Sequence, residues 1–272
     1  ALNNFTEFTM IDSYPITRFF GFTEDEVKQL CEQFQLDMDN TKAWYNGYLI
    51  NGLHMYNPNS VSMAIERHRF DSYWKNTSSF ASINTFITMN YDGLKDDIMT
   101  MLSDGMVYVN TDTFQNDFVS ISSKDEALTA LIHLGYLGYN IDEKNAFVPN
   151  FEVKKAYQAA LCTSGWSKVA DSISRCDELL QATINGHSEK VAELIEKAHA
   201  YTSILKYNDE NSLSCVLSMA YFTAPAYYNV VREMPAGKGF ADFVFIPRLN
   251  AGERPAMIIE LKYNQSAYSA IR

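Results

Sequence analysis

The chain has 272 residues, of which 47% are hydrophobic and 14% are aromatic, and its formal net charge at pH 7 is −11. This length and apolar content are typical of a globular chain with two domains, and they exclude a disordered one. No apolar run approaches the ~18 residues needed to cross a bilayer, so we expect no membrane-spanning segment. The first residues also lack the basic and apolar stretches of a secretory signal peptide.

The four cysteines predict a cytoplasmic protein with reduced, buried thiols. They are far apart and form no Cys-x-x-Cys pair, and the five histidines show no ligand spacing among themselves or with them, which argues against zinc. These cysteines are Cys31, Cys162, Cys176 and Cys215.

The acidic charge is unevenly distributed along the chain. Residues 201–272 hold seven basic and six acidic residues, a balance of +1, so residues 1–200 carry a balance of −12. A protein that binds nucleic acid usually presents a basic surface. The near-neutral C-terminal segment permits phosphate binding, but its charge alone does not argue for it.

Helices dominate the first part of the chain. Thr23 and Glu26 have the spacing of a capping box, which predicts a helix that begins there. Asn46-Gly47 predicts a hairpin turn between two strands, and Asn57-Pro58 predicts the start of a helix through Ile65. Further helices are predicted at 78–89 and 94–102, and a short strand at 106–109.

Residues 124–150 have a different pattern. Lys124 to Leu134 is predicted to be a strongly amphipathic helix, and strand-like pieces follow at 135–141 and 146–149 with a turn between them. This order is typical of a winged helix and equally typical of a helix packed on any small hairpin. Both interpretations stay open, and a winged helix need not contact DNA.

The fold class is predicted to be mixed α/β with two domains. The hairpin ends near Asn150, so we expect a mostly helical domain over residues 1–150 and a second domain over residues 151–272. Three consecutive helices open the second domain, at 151–161, 167–184 and 188–201.

The last part of the chain, residues 207–272, predicts the order helix, strand, strand, strand, helix. The first of these helices has an apolar stripe that begins just after Asn208-Asp209-Glu210, and Pro225 ends it. The predicted strands lie at 227–233, 241–246 and 256–262, and the final helix begins near Gln265.

Asp242 suggests chemistry because it lies inside an otherwise apolar strand. A lone carboxylate is costly to bury there unless it has a partner or a metal. Glu260 and Lys262 lie on the next strand, and residues two apart on a strand share one face. If the two strands are neighbours, Asp242 and Glu260 converge on one cation.

These residue types suit metal-dependent hydrolysis of a phosphodiester. Mg²⁺ prefers oxygen ligands and often binds one or two carboxylates together with water and phosphate. A bound metal lowers the pKa of its water, and a neighbouring lysine can orient or deprotonate that water or neutralise the phosphoryl oxyanion. We therefore predict a Mg²⁺ or Mn²⁺ site at Asp242 and Glu260, with Lys262 beside the water.

Asp242 and Glu260-Leu261-Lys262, preceded by Gly237-Lys238-Gly239, resemble the PD-(D/E)XK nuclease superfamily. The chain is similar to the nuclease-like domain that follows an AAA-ATPase-like domain in many bacterial proteins, especially from Bacteroidetes. The resemblance implies a three-layer nuclease core with a central mixed sheet, and it implies a further metal carboxylate at Glu210. Segments similar to the end of the ATPase-like region are Gly21–Val27, Trp44–Tyr48, Tyr56–Pro58 and Tyr73–Ser78.

The resemblance also implies a longer polypeptide. The chain has no G-x-x-x-x-G-K-[ST] phosphate loop, since Gly237-Lys238-Gly239 has neither its spacing nor its Ser or Thr. We expect the ATP-binding part to precede Ala1, so no ATP hydrolysis is expected of this chain. The last core helix is expected to be cut off at Arg272. The implied partners are nucleic acid and the ATPase-like domain.

A second class of function fits the same residues, namely a nuclease fold that has lost its chemistry and binds a partner protein. Glu-Leu-Lys alone occurs by chance in many strands, and Glu210 in a first helical turn is favoured by the helix dipole without any catalytic role. The position of Asp242 favours the nuclease. Aromatic residues of the first domain are interpreted as packing residues rather than a stacking surface, and they are Trp44, Tyr45, Tyr48, Tyr73 and Trp74.

Overall fold

A computed structural model describes residues 8–74, 91, 93–114, 121–163, 174–202, 210–237, 239–249 and 251–262. Over these residues the chain is a mixed α/β protein with three small antiparallel sheets, which confirms the predicted class. It divides into two compact units, Ala1–Ser164 and Gly165–Arg272. The predicted helices at 78–89 and from Gln265 onward lie outside the described residues.

The first unit contains two three-stranded sheets and several helices. Their strand orders are β1-β3-β2 and β4-β6-β5. The strands are β1 (Phe22–Thr23), β2 (Tyr48–Ile50), β3 (Leu53–Tyr56), β4 (Val107–Tyr108), β5 (Gly138–Asn140) and β6 (Asn145–Phe147). The helices are α1 (Glu24–Phe34), α2 (Met38–Tyr45), α3 (Pro58–Arg67), α4 (Leu94–Leu102), α5 (Lys124–His133) and α6 (Phe151–Thr163), with short 3-10 helices at Thr17–Phe19 and Thr111–Thr113.

The predicted helix starts are confirmed by their caps. The Thr23 amide donates to Glu26 Oε2 at 2.8 Å and the Glu26 amide donates to Thr23 Oγ1 at 3.4 Å, so the capping box of α1 is complete. The Asn57 side chain accepts from the first amides of α3, which has Pro58 at its first position. Helix α3 continues to Arg67, two residues beyond the predicted end.

The predicted hairpin turn at Asn46-Gly47 is wrong. Helix α2 runs to Tyr45, and the hairpin of β2 and β3 turns instead at Asn51-Gly52, where φ is 48° and 77°. Positive φ at both turn residues is the geometry of a type I′ hairpin turn. Gly47 instead allows a close backbone contact, because a Cβ there would lie 1.9 Å from the carbonyl oxygen of Pro149.

The predicted amphipathic character of α5 is also wrong. The helix starts as expected, with Ser123 accepting from the Glu126 amide, but all six residues from Ala127 to Ile132 are buried. A helix buried on all sides has no free face for another molecule. The predicted hairpin follows it as β5 and β6, and β4 joins β6 as a third strand. The winged-helix interpretation stays a prediction.

The second unit places helices on one face of a single sheet. The strand order is β7-β8-β9, antiparallel throughout. The three strands and their order agree with the prediction, although β9 is shorter. The elements are α7 (Cys176–Ile184), α8 (Ser188–Thr202), α9 (Glu210–Ala220), a 3-10 helix at Ala224–Ala226, β7 (Tyr228–Ala236), β8 (Gly239–Pro247) and β9 (Met257–Ile259).

The core of the second unit lies between its helices and this sheet. Phe243 and Phe245 of β8 pack together with side chains from all three helices, and Tyr221 lies edge-on to Phe245 with ring centroids 5.3 Å apart. The helix residues of this cluster include Leu179, Leu180, Leu194, Val216 and Leu217. Because side chains alternate along a strand, the residues between these phenylalanines point to the opposite face.

Two further sequence predictions concern cysteines and membranes. Cys31 and Cys176 are buried thiols that form no disulfide, as predicted, whereas the side chains of Cys162 and Cys215 lie outside the described set. None of the helices in the described ranges has both the length and the apolar content that a membrane span requires.

Candidate functional site

Asp242 lies on the face of the sheet opposite the helices. Its neighbour Phe243 is 2% exposed in the core, whereas the Asp242 side chain is half-buried. The alternation along β8 therefore turns the carboxylate away from the apolar core, which explains how a charged residue fits into this strand. The sequence pattern alone could not distinguish a buried carboxylate from one that lies on an open face.

The register of β8 and β9 brings Glu260 towards Asp242. Phe245 pairs with Met257 and Phe243 pairs with Ile259. The ladder ends at that pair, and Glu260 is the next residue after Ile259, as Asp242 is the residue before Phe243. Glu260 thus follows the paired part of β9 on the side towards Asp242, and the convergence of the two carboxylates on one cation stays a prediction.

A hydrogen bond ties Asp242 to the segment that follows β9. The Leu261 amide donates to Asp242 Oδ2 at 2.6 Å. This short bond to a carboxylate has the length of a charge-assisted one. The Asp242 side chain thus holds the backbone at the middle of Glu260-Leu261-Lys262.

The predicted strand over 256–262 is corrected by this bond. Strand β9 ends at Ile259, so Glu260 and Lys262 follow it. The physical reason is that the Leu261 amide is taken by the Asp242 side chain rather than by a backbone carbonyl. Leu261 nevertheless packs into the core of the second unit, where its side chain is 8% exposed. Its two neighbours in the chain are less buried, since Glu260 is half-buried and Lys262 is exposed.

Sequence reasoning missed a third acid, Glu233. The ladder of β7 and β8 pairs Arg232 with Phe243 and Met234 with Ala241, so Glu233 is the residue across from Asp242. Its φ of 50° departs from extended backbone, and its side chain is exposed. We call Glu233, Asp242 and Glu260 the acid row. The signal was present in the sequence, since Glu233 ends the predicted strand at 227–233.

The acid row is a loose arrangement. Within the described residues, no three Asp, Glu, His or Cys side chains are grouped closely enough to hold a metal ion. The row therefore offers at most a pair of adjacent carboxylates. Glu210 is the first residue of α9, but its side chain lies outside the described set, so its metal role stays a prediction.

The first unit holds a second acid that sequence reasoning did not single out. Glu152 is 1% exposed, and its Oε1 accepts hydrogen bonds from the Tyr73 amide at 2.7 Å and the Trp74 amide at 3.1 Å. Burial raises the pKa of this carboxyl group, and the hydrogen bonds from these amides partly oppose that rise. Two residues later, Lys154 Nζ lies 2.7 Å from Asp104 Oδ1. Both charged side chains of this acid-x-lysine segment are therefore buried and paired within the first unit.

The five aromatic residues predicted to pack do so: Tyr48 is 8% exposed, and the half-buried Trp74 stacks on Tyr136 with ring centroids 4.9 Å apart. Trp44, Tyr45 and Tyr73 are at most 7% exposed. The Trp44 ring lies edge-on to Phe151 with centroids 4.7 Å apart. Buried rings of this kind offer no surface on which a base can stack.

Comparisons with known proteins add little to this geometry. No family model and no solved structure matches the chain. A protein of Azotobacter chroococcum mcd 1, described as an uncharacterized protein in the vnfD 5′ region, is 32% identical over 81 residues. The alignment covers 29% of this chain and 15% of that protein, so the chain spans a small part of the relative it matches.

Proposed function

We propose that the second unit is a metal-dependent nuclease of the PD-(D/E)XK type, which hydrolyses phosphodiester bonds of DNA or RNA. One observation carries this proposal. The 2.6 Å hydrogen bond from the Leu261 amide to Asp242 Oδ2 holds the strand acid against the Glu-Leu-Lys segment, on the face that the helices leave open. The bond brings Asp242 to the residue that lies between Glu260 and Lys262 in the chain.

The donor set fits a small, hard cation. A carboxylate offers about four acceptor positions, so Asp242 keeps capacity for a metal while one oxygen accepts from the Leu261 amide. Mg²⁺ and Mn²⁺ suit oxygen ligands, and Mg²⁺ commonly binds one or two carboxylates and completes its shell with water and phosphate. Asp242 and Glu260 would hold the metal, and Glu210 would assist as a further carboxylate. When bound, such a metal acidifies water and offsets charge on the phosphoryl group.

Lys262 is exposed two residues after Glu260 and would serve the attacking water. Its ammonium group can orient that water or neutralise charge on the phosphoryl oxygens. In the reaction the water oxygen bonds to phosphorus and the bond from phosphorus to the leaving sugar oxygen breaks. The proton lost by the water is balanced by one gained at the leaving oxygen. In the intact polypeptide, an ATPase-like domain would position or regulate this site.

The alternative is an interaction module that kept the fold and lost the chemistry. A specific observation favours it, because apolar side chains are exposed on the face that carries the acid row. Ile258 and Phe240 are each 67% exposed, and Ile246 is 40% exposed. A partner protein that covered this face would bury them together.

Calorimetric titration of Mg²⁺ and Mn²⁺ tests the proposal. Asp242→Asn keeps an oxygen that can accept from the Leu261 amide but removes the negative charge, so it tests the metal without breaking that contact. We expect Asp242→Asn and Glu260→Gln to weaken metal binding and metal-dependent cleavage by at least roughly tenfold to a hundredfold. Glu253→Gln, an exposed acid elsewhere in the same unit, is the matched control and should change neither.

The cleavage readout is the release of label from single-stranded and duplex DNA and RNA. Cleavage that survives Asp242→Asn unchanged would overturn the assignment. Metal binding without cleavage of any substrate would favour the interaction module.

A further inference from the structure

Phe240 lies on the same face of β8 as the acid row. It precedes Asp242 by two residues, and residues two apart on a strand point the same way. Its side chain is 67% exposed, whereas Phe243 and Phe245 of the same strand are 2% and 1% exposed in the core. The core of the second unit therefore makes no use of the Phe240 ring.

A proline lies beside this ring. Pro235 of β7 is the direct Cα partner of Phe240 across the ladder, and it too is exposed. Side chains in that relation are typically ~5 Å apart, so the two rings form an apolar shelf. The hairpin end next to the shelf is open, since a Cβ at Gly239 would meet no described atom within 4 Å. We call Pro235 and Phe240 the shelf.

The shelf is close to the proposed metal ligands. Two residues of strand separate Phe240 from Asp242 by roughly 7 Å. A nucleotide whose phosphate lies at Asp242 and Glu260 can therefore lay its base on the Phe240 ring. Lys262 is exposed in the segment after β9, two residues beyond Glu260, and supplies a positive charge for the neighbouring phosphate.

The chemistry of the face favours stacking as a source of affinity. The acid row repels phosphate before a metal binds, and the whole chain carries a net charge of −11. Stacking of a base on an aromatic ring needs no charge and tolerates any base. It does require a base that is unpaired and unstacked from its neighbours, which a duplex does not offer.

We infer that Phe240 is the base-stacking residue of this site, and that the site takes single-stranded nucleic acid in preference to duplex. This inference rests on the proposed nuclease function. It distinguishes Phe240 from Ile258, which is equally exposed on the same face but cannot stack on a base. If the face were a protein interface, both residues would contribute to it.

Fluorescence anisotropy of the full chain tests the inference. The probes are a short fluorescein-labelled oligothymidylate and the duplex that it forms with oligodeoxyadenylate, with Ca²⁺ in place of Mg²⁺. We expect the single strand to bind more tightly than the duplex and Phe240→Ala to weaken its binding roughly tenfold. Phe240→Trp is expected to keep or strengthen binding. Ile258→Ala is the matched control and is expected to have less than about a twofold effect.

Several outcomes would overturn the inference. They are equal binding by the wild type and Phe240→Ala, equal losses in Phe240→Ala and Ile258→Ala, tighter binding of the duplex, and no measurable binding of either probe. A thermal melt of each variant checks that the exposed substitutions leave the fold intact.

A cleavage assay with Mg²⁺ separates this inference from the proposed function. Cleavage that depends on Asp242 but not on Phe240 would remove the stacking role and leave the nuclease. Single-strand binding that depends on Phe240 without any metal-dependent cleavage would remove the nuclease and leave the stacking role.

Discussion

The same three-residue pattern, acid-x-lysine, occurs in both units with opposite outcomes. In the first unit, Glu152-Val153-Lys154 begins α6, and both charged side chains are buried against partners within the unit. In the second unit, Glu260-Leu261-Lys262 follows β9, where Glu260 is half-buried and Lys262 is exposed. The pattern therefore has no fixed meaning until the backbone around it is known.

Backbone geometry explains the difference. On a helix, residues two apart lie about 200° apart around the axis, so Glu152 and Lys154 reach different neighbours. On extended backbone the same spacing puts both side chains on one face. The helix directs its acid and its lysine into two structural contacts, whereas in the segment after β9 Glu260 is half-buried and Lys262 is exposed.

The largest expected effect is on the buried acid. Glu152→Ala leaves the amides of Tyr73 and Trp74 without their acceptor, and each buried unsatisfied group costs about 1–3 kcal/mol. We expect the free energy of unfolding to fall by about 3 kcal/mol, measured by urea denaturation. Glu260→Ala, the corresponding acid in the second unit, should lower it by less than about 1 kcal/mol. Equal losses would break the distinction between an enclosed acid and an open one.

Variants that affect Lys154 or Lys262 are expected to differ less in unfolding free energy than the two glutamate variants do. Asp104→Ala removes the ion-pair partner of Lys154, whose side chain is 7% exposed, and should lower the free energy of unfolding by about 1.5 kcal/mol. Lys262→Ala should leave unfolding within about 0.5 kcal/mol of wild type while it slows metal-dependent cleavage. A stability loss in Lys262→Ala as large as in Asp104→Ala would show that Lys262 is structural.

The hydrogen bond at Asp242 gives a smaller effect. Asp242→Ala removes the acceptor of the Leu261 amide, whereas Asp242→Asn retains one. We expect the alanine variant to unfold about 1 kcal/mol more easily than the asparagine variant, with metal binding weakened in both. Equal stabilities would mean that the bond does not hold the segment after β9.

The smallest expected effect is on pH dependence. Burial raises the pKa of Glu152 above its ordinary value of 4.5, so the folded state binds this proton more tightly than the unfolded state. The stability that the protonated Glu152 contributes to the folded state is fully present below pH 4.5 and is lost as the pH rises through the folded-state pKa.

Both amides donate to Glu152 Oε1, which leaves Oε2 able to carry the proton. Above pH 4.5 the wild type should therefore lose unfolding free energy as the pH rises, whereas Glu152→Gln, which has no carboxyl group at this position, should not. A difference in unfolding free energy between the two proteins that is flat with pH would contradict this.

Local signals predicted much of the fold. The capping box of α1, the Asn57-Pro58 start of α3 and the first two strands of the second unit lie where the sequence places them, and the third strand begins there. These features depend on neighbours in the chain, so a sequence is sufficient to find them. The all-round burial of α5 depends on contacts distant in the chain, and its spacing gave no sign of it.

The hairpin turn shows the same limit. Asn46-Gly47 and Asn51-Gly52 carry the same local signal, yet the turn is made only at the second pair. At the first pair, the absence of a side chain on Gly47 admits the backbone of Pro149, about a hundred residues away in the chain. The sequence alone does not show which of two Asn-Gly pairs forms a turn and which glycine is required by a packing contact.

The candidate site was predictable in part. The apolar strand context singled out Asp242, and the condition that its strand neighbours the one before Glu260 is met by β8 and β9. The end of β9 at Ile259 could not be predicted, because it depends on a side chain that captures a backbone amide. Glu233 was missed because its position across from Asp242 follows only from the exact ladder of β7 and β8.

The close approach of Gly47 to Pro149 has a consequence for how the first unit opens. Gly47 leads into β2 of one sheet, Pro149 follows β6 of the other, and Tyr48 Oη donates to the Gly135 carbonyl at 2.7 Å just before β5. These contacts join the segments that flank β2 and β5–β6, so opening one sheet here disturbs the other. The amides of both sheets are therefore expected to exchange with solvent in a single cooperative event, so that two small sheets unfold as one element.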